Sequence, residues 1–289
     1  MVIGVDLGSN TLRVALMNSE FEILNSHDFM VGSARNLKPG GKLDVNARER
    51  ISLALQKITQ IYDFNSHKHI AVATEAFRLA SDGELFLDEI HKSFGIKFKI
   101  IDAISEAKFI ELAVKTRLKT LGIESENSLF IDLGGGSTEV SFNGRYKSFK
   151  FGIVRFYNEF GSDDVSSMQT NAKLVTKEAR EFIGGLNPSR VVLTSSIPTN
   201  LAMVKFSLKE PKLANGKMLE FSDFERYRDE ILNSSSEVNE ANYGKDRAHL
   251  ILAGIILLES FLAKFSEFIV IDDGLREGII IDEILKDKI

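Results

Sequence analysis

The sequence predicts an α/β protein made of two related domains, each a mixed sheet with helices packed on it. Two observations lead to this prediction. A short hairpin motif occurs twice, and the strands and helices after it come in the same order both times. Laid without gaps from Asp6 onto Asp132, the two hairpins share Asp, Leu, Gly and a final Val. Two unrelated hairpins are the alternative, but the recurrence of Asp-Leu-Gly at the same place favours a duplication.

In the first half, strands are predicted at residues 2–6 and 11–17, where Leu12, Val14 and Leu16 share one face. Apolar periodicity and the Gly and Ser boundaries then predict the following elements. They are a strand at 22–27, a loop at 32–43, a helix at 46–62, a strand at 69–74, a helix at 83–94, a strand at 97–102 and a helix that Ser105 caps and that ends at Gly122.

The second half repeats this order with one insertion. The pattern predicts a hairpin at 128–143, a third strand at 149–154, a helix at 171–183, a strand at 190–194, a helix from near Pro198, a polar and mostly helical insertion at 209–245, a helix at 246–265, a strand at 268–271 and a last helix after Gly274.

This repeat resembles the architecture of the duplicated ribonuclease H-like fold, the actin/hexokinase/heat-shock ATPase superfold. It predicts domains at residues 1–125 and 126–289 around a cleft, with the last helix able to pack back on the first domain. Each domain would present one glycine-containing turn to that cleft.

Composition limits the class of protein. The chain has 289 residues, 44% of them hydrophobic and 27% charged, which is typical of a soluble globular protein. The net charge of −5 argues weakly against nucleic-acid binding. Without cysteine, the chain has no disulfide, thiolate metal site or cysteine nucleophile. We expect a cytoplasmic protein because no signal peptide is visible. Glu259 and Lys264 interrupt the longest apolar stretch, so a membrane span is not expected.

The two turns are the candidate phosphate-binding elements. Glycine allows a ligand to approach the main chain, and successive N–H groups can form an anion-binding concavity. The candidates are Gly8, Ser9, Asn10 and Thr11 in the first turn and Gly134, Gly135, Gly136, Ser137 and Thr138 in the second. A carboxylate at the end of the strand before such a turn is a candidate ligand for a divalent metal. No Gly-Lys-Ser/Thr sequence occurs, so a Walker A loop is excluded.

The motifs resemble those of the exopolyphosphatase/guanosine pentaphosphate phosphatase (Ppx/GppA) family in its short, two-domain form. Five segments match in chain order, at residues 6–11, 73–78, 106–108, 132–139 and 274–278. Two segments depart from the family pattern. Asp102-Ala103 replaces Ser-Gly before the catalytic Glu, and Ser195-Ser196-Ile197 replaces Gly-Gly-Thr. The departures leave turnover and nucleotide binding open.

The resemblance implies that Asp132 and Glu139 hold Mg²⁺, directly or through water. Asp6, beside the first turn, is a further candidate for contact with metal-bound water. The resemblance also implies that Glu106 is the base that activates water and that Arg78 binds phosphate, with Arg13 as a further candidate. Each carboxylate near a turn also has a purely structural explanation. The two Asp residues could cap their turns, and Glu139 could be an exposed strand residue.

Glu106 and the arginines have structural explanations as well. Glu106 could simply stabilise its helix, because the helix dipole favours an acid in the first turn by roughly 0.3–1 kcal/mol. Arg78 could be a surface residue. For Arg276, in the last matching segment, phosphate binding and a structural ion pair are equally open.

The resemblance therefore implies a Mg²⁺-dependent hydrolase that releases terminal phosphate from inorganic polyphosphate or guanosine pentaphosphate (pppGpp). The expected partners are polyphosphate or guanosine penta/tetraphosphate, with no nucleic acid and no membrane; a homodimer stays open. Two further functions stay open, a catalytically weak polyphosphate- or alarmone-binding protein and an actin-like ATPase or kinase.

Overall fold

The computed structural model describes residues 1–162 and 164–288. Residues 163 and 289, which belong to the expected domain 126–289, lie outside the described part. The strands are β1 (Val2–Leu7), β2 (Thr11–Met17), β3 (Ile23–Met30), β4 (Lys68–Ala73), β5 (Phe98–Ile100), β6 (Ser128–Leu133), β7 (Thr138–Phe142), β8 (Arg145–Phe149), β9 (Arg190–Thr194), β10 (Lys217–Glu220) and β11 (Glu267–Val270).

The helices are α1 (Val45–Ile61), α2 (Glu75–Leu79), α3 (Gly83–Phe94), α4 (Ala103–Thr120), α5 (Ile153–Phe160), α6 (Val165–Val175), α7 (Lys177–Gly184), α8 (Ser196–Lys205), α9 (Phe221–Asn233), α10 (Ser236–Tyr243), α11 (Ala248–Leu262) and α12 (Leu275–Lys286). A short 3-10 helix, Pro211–Ala214, follows α8. None of the helices in the described ranges combines the length and apolar character needed to cross a lipid bilayer.

The chain divides into two compact units. Unit 1 consists of residues 1–113 together with the segment from Gly274 onwards, and unit 2 consists of Val114–Asp273. The boundary expected at residue 125 falls within unit 2, after α4. In unit 1, α12 packs on β1, where a Cβ on Gly4 would overlap the Ile280 side chain.

Unit 1 holds a five-stranded sheet in the order β3-β2-β1-β4-β5. β1 is antiparallel to β2 and parallel to β4, and β4 is parallel to β5. The three parallel strands end together, and the chain leaves them at Gly8, Thr74 and Ile101. This carboxyl edge is where open α/β sheets place their ligands.

Unit 2 holds a six-stranded sheet in the order β10-β11-β9-β6-β7-β8. β6 is antiparallel to β7 and parallel to β9. The apolar helix α11, predicted at 246–265, lies in the core of this unit, with Ile255, Leu257 and Leu262 fully buried. The hydrophobic stretch is therefore a core helix, as its interruption by Glu259 indicated.

The third strand of the second hairpin lies earlier than expected. The sequence predicted a strand at 149–154, but β8 ends at Phe149 and α5 begins at Ile153. The reason is the turn at Asn143 and Gly144, whose φ angles of 48° and 77° reverse the chain within two residues. The apolar residues after Phe149 then enter the core as a turn and a helix.

Two predicted helices differ from the structure, and one helix was not predicted. The predicted helix at 171–183 is two helices, separated at Thr176, whose hydroxyl donates to the Ala172 carbonyl at 2.7 Å. Residues 75–79 form α2, which strand alternation did not reveal. Helix α8 begins at Ser196, so Pro198 lies inside its first turn.

Candidate functional site

The two glycine-containing turns have the same internal geometry. The Gly8 N–H donates to the Thr11 carbonyl at 2.9 Å, and the Gly134 N–H donates to the Ser137 carbonyl at 3.0 Å. Gly8 falls on Gly134, and Thr11 on Ser137, in the gapless alignment of the hairpins. The repeated hairpin sequence therefore forms the same backbone hydrogen bond in both units.

The N-terminus of helix α5 packs against the second turn. The N–H groups of Ile153 and Val154 donate to the Gly134 and Gly135 carbonyls at 2.9 and 2.8 Å. A Cβ on Gly152 would lie 2.7 Å from main-chain atoms of the same turn, so only glycine permits this contact. The first N–H groups of α5 thus bind the turn's carbonyls and fix its main-chain conformation.

The strands next to the turns carry different charge pairs. In unit 2, Asp132 and Glu139 are direct partners in the antiparallel β6–β7 ladder, so their side chains share one face. In unit 1, the equivalent partners are Asp6 and Arg13. Two carboxylates directly opposite one another repel, whereas an Asp and an Arg attract. The pair in unit 2 therefore suits a bound cation better than the pair in unit 1.

Glu139 is buried and its carboxylate is held by a neighbouring strand. It is 3% exposed, and its Oε1 accepts a hydrogen bond from the Ser148 hydroxyl at 2.7 Å. In the described ranges, no group of three or more His, Cys, Asp or Glu side chains is arranged as a metal site. A magnesium ion usually binds one or two carboxylates and completes its shell with water and substrate phosphate. The pair of Asp132 and Glu139 fits that mode.

At the carboxyl edge of the unit 1 sheet, Arg78 and Glu106 form an ion pair. Arg78 lies on α2, and its Nη1 is 2.9 Å from Glu106 Oε2 in the first turn of α4. The same Nη1 donates to the Ile101 carbonyl, and Nε donates to Glu75. Burial lowers the pKa of Arg78, but the charge of Glu106 and the hydrogen bond to Glu75 outweigh burial and raise it. Arg78 therefore stays charged and holds the 7% exposed Glu106 in one orientation.

Asp102 caps α4 and so positions Glu106. Its carboxylate accepts hydrogen bonds from the N–H groups of Ile104 and Ser105 at 2.9 and 2.8 Å and from the Ser105 hydroxyl at 2.7 Å. These bonds, first of all the one from the Ser105 backbone, lower the pKa of Asp102. The sequence predicted Ser105 as the cap, but Asp102 performs that role, because its side chain reaches the free N–H groups.

Some predicted residues make structural contacts. The Thr138 hydroxyl donates to the Phe151 carbonyl at 2.8 Å inside the protein. Arg13 Nε lies 3.6 Å from Asp28, and Arg276 Nη1 lies 2.8 Å from the same carboxylate. Arg276 also pairs with Glu277. Of the two roles open to Arg276, the structure shows the ion pair.

Three supporting residues were missed: Glu75, Ser148 and Gly152. Glu75 stands three residues before Arg78 on α2, a spacing that would have predicted the ion pair had the helix been recognised. Ser148 contacts Glu139 because β8 pairs with β7 in that register. Gly152 carried no local signal, since its role depends on a turn distant in sequence.

Comparison with known proteins identifies the family. A family model described as the Ppx/GppA phosphatase family matches residues 14–287. The chain belongs to the Ppx/GppA phosphatase family. This confirms the resemblance drawn from the five spaced motifs.

Two curated relatives illustrate the range of similarity within the Ppx/GppA family. A putative exopolyphosphatase of Haemophilus influenzae is 24% identical, over 96% of this chain and 90% of that protein. A guanosine-5'-triphosphate,3'-diphosphate pyrophosphatase of Pseudoalteromonas translucida is 28% identical, over 62% of this chain and 37% of that protein. The match to a Streptomyces coelicolor relative covers 53% of its length. The chain thus matches about half or less of several relatives.

Solved structures confirm the predicted fold class. An Aquifex aeolicus Ppx/GppA family member superposes with a TM-score of 0.80 at 25% identity, covering 100% of this chain and 98% of that one. A Cytophaga hutchinsonii exopolyphosphatase superposes with a TM-score of 0.85 at 24% identity, covering 99% and 98%. The duplicated, actin-like α/β fold expected from the sequence is therefore the observed one.

Proposed function

We propose that this Ppx/GppA family protein hydrolyses a terminal phosphoanhydride bond of inorganic polyphosphate or guanosine pentaphosphate. The observation that carries the proposal is the Arg78–Glu106 pair at the carboxyl edge of the sheet that also presents the Gly8 turn. The names of the Haemophilus and Pseudoalteromonas relatives support the substrate class.

In the proposed reaction, Glu106 is the general base. Its carboxylate accepts a proton from a water molecule as the water oxygen bonds to the terminal phosphorus. The bridging P–O bond then breaks, and its electron pair leaves with the shortened phosphate chain. General-base assistance contributes typically about 10²–10⁴-fold to such a rate. Arg78 positions the carboxylate, and its buried Nη2, which has no hydrogen-bond partner among the described residues, suits a phosphate oxygen.

The two turns would bind the phosphates. The Gly8 and Gly134 N–H groups bond within their own turns. The other N–H groups and the hydroxyls of Gly8–Thr11 and Gly134–Ser137 would supply neutral hydrogen bonds to phosphate oxygens. Asp132 and Glu139 would hold Mg²⁺, which supplies neutralisation of phosphate charge when bound. The opposite positions of the two like-charged residues on one sheet face support this assignment. Asp6, which faces Arg13 in its ladder, is a candidate only for contact through water.

The binding-protein hypothesis rested on the altered segment before Glu106. Asp102 caps α4 there, so the substitution leaves the support of Glu106 in place. This favours hydrolysis over binding alone. The ATPase or kinase hypothesis needs a nucleoside pocket, and no feature of the residues that the structure describes favours one.

The test is phosphate release from inorganic tripolyphosphate and from guanosine pentaphosphate, each with and without Mg²⁺. We expect release that needs Mg²⁺ and a fall in kcat of at least about 10²-fold for Glu106→Gln. Glu84→Gln is the matched control, because Glu84 is an exposed acid in the first turn of α3. Full activity of Glu106→Gln would contradict the mechanism, and tight binding without release would favour the binding protein.

The metal assignment has its own test. Glu139→Gln removes one of the two facing carboxylates while keeping an oxygen for the Ser148 hydroxyl. We expect the Mg²⁺ concentration for half-maximal activity to rise by about tenfold or more, as expected when a charged ligand is lost. An unchanged Mg²⁺ requirement would show that Glu139 is not a metal ligand.

A further inference from the structure

A loop beside the first turn carries two arginines that the proposed reaction does not use. The N–H groups of Val31 and Gly32 both donate to the Asn10 carbonyl at 2.9 Å. The Ala34 N–H donates to the Ser9 carbonyl at 2.8 Å. The segment Val31–Arg35, here called the flanking loop, therefore lies directly against the Gly8–Thr11 turn.

The two arginine side chains converge at Gly32. This glycine has a φ of 59°, and a Cβ placed on it would lie 3.4 Å from Arg50 Nη2 and 3.7 Å from Arg35 Nε. Both guanidinium groups thus approach the same point above the main chain of the flanking loop. Arg50 reaches it from α1, where its Nε donates to the Val31 carbonyl at 2.8 Å.

Neither arginine has an acidic partner in the described part of the chain. Arg35 is exposed and its side chain makes no ion pair there, whereas Arg48, two residues before Arg50, pairs with Asp82 and Glu89. Arg50 Nη2 is buried and has no hydrogen-bond partner among the described residues. Two converging guanidinium groups repel, and a bound anion removes that repulsion while accepting their hydrogen bonds.

A second unsatisfied donor lies in the same loop. The Ser33 side chain is 0% exposed, and its hydroxyl has no hydrogen-bond partner within the described ranges. A buried hydroxyl without a partner costs about 1–3 kcal/mol in general. The flanking loop therefore combines two converging cations and an unused donor beside a turn that is itself a candidate phosphate site.

We propose that the flanking loop, with Arg35 and Arg50, is a second phosphate subsite for a phosphate group of the substrate other than the one attacked. The proposal rests on the proposed function, because it extends the phosphate site of the Gly8–Thr11 turn. The exposed guanidinium of Arg35 binds the anion on its solvent side, and the buried Nη2 of Arg50 donates to it on the protein side. Such a subsite selects substrates with several phosphates over orthophosphate.

The test is calorimetric binding of inorganic tripolyphosphate and of orthophosphate to the full chain carrying Glu106→Gln, which prevents turnover. Arg35→Gln is compared with Lys42→Gln, a matched control that removes a cation from the same loop region. We expect Arg35→Gln to weaken tripolyphosphate binding about tenfold, as for loss of a charge-assisted hydrogen bond, and to leave orthophosphate unchanged. Lys42→Gln should change either affinity by less than about twofold.

Equal affinities of Arg35→Gln and Lys42→Gln for tripolyphosphate would overturn the subsite, as would an absence of tripolyphosphate binding to the parent. The outcome is separable from that of the proposed function. Tripolyphosphate binding that depends on Arg35, without phosphate release by the unmodified chain, would keep the subsite and overturn the hydrolase.

In an active enzyme, Arg35→Gln should raise KM for tripolyphosphate and leave kcat unchanged, because the subsite does not touch the attacked bond.

Discussion

Arg78 Nη1 and Glu106 Oε2 lie 2.9 Å apart at the carboxyl edge of the unit 1 sheet. Both residues were candidates for separate roles, phosphate binding and general-base catalysis. Their contact makes the two proposed roles dependent on each other, because the arginine fixes the orientation of the carboxylate.

The first prediction concerns this dependence. Arg78→Met should lower kcat by about 10²-fold, because it leaves Glu106 without its orienting partner. It should also destabilise the protein by about 1–3 kcal/mol, because Glu106 is left without its partner in a partly buried pair. Urea unfolding and phosphate release measure the two effects. Arg78→Met combined with Glu106→Gln should be more stable than Arg78→Met alone, and strictly additive losses would contradict the coupling.

The second prediction concerns Asp102. Asp102→Ala should lower the free energy of unfolding by about 1 kcal/mol through loss of the helix cap, whereas Asp102→Ser should retain most of it. Hydrogen bonds from Ser105 and Ile104 lower the pKa of Asp102, so its contribution is present above the unfolded pKa. That contribution should disappear as pH falls through the lowered folded value. Urea titrations of Asp102→Ala and the parent should therefore converge in strong acid, and a constant gap would contradict this account.

A third prediction concerns Gly152. Gly152→Ala places a methyl group 2.7 Å from backbone atoms of Gly134, Gly135 and Gly136, which cannot move aside as a side chain could. We expect a loss of stability of about 1–3 kcal/mol and weaker phosphate binding, because the second turn is displaced. Gly184→Ala is the control, since a Cβ there meets nothing within 4 Å. Equal thermal unfolding temperatures for the two variants would show that the close approach is not needed.

A fourth prediction concerns Ser195, the residue before α8. Its φ of 105° is a conformation that side-chain-bearing residues rarely adopt, and its hydroxyl is buried without a hydrogen-bond partner among the described residues. Strain of this kind costs about 1–3 kcal/mol. Ser195→Gly should therefore raise the free energy of unfolding by about 1 kcal/mol, after the entropy of the added glycine is subtracted.

The neighbouring residue provides the control for Ser195. Ser196 begins α8, so Ser196→Gly should be neutral or destabilising, because glycine is a poor helix former. If Ser195→Gly were as destabilising as Ser196→Gly, the backbone strain at Ser195 would not lower the stability of the native protein.

Much of the fold was predictable because its signals are local. Strand alternation and the Asp-Leu-Gly hairpins predicted β1, β2, β6 and β7, and the structure shows the same hydrogen bond at aligned positions of both turns. Predictions failed where a local pattern was ambiguous. Residues 149–154 are apolar enough for a strand, but the Asn143-Gly144 turn had already completed the hairpin.

The sequence by itself determined the duplication, the two glycine turns and the family, because these depend on residue order within short segments. The tertiary structure decided which side chains meet. Glu106 meets Arg78 because β4 and β5 are adjacent and parallel, and α5 supports the second turn because Gly152 permits the approach. Arg50 meets the flanking loop because α1 packs beside it. Contacts of this kind depend on the pairing of distant segments, which no short pattern in the sequence specifies.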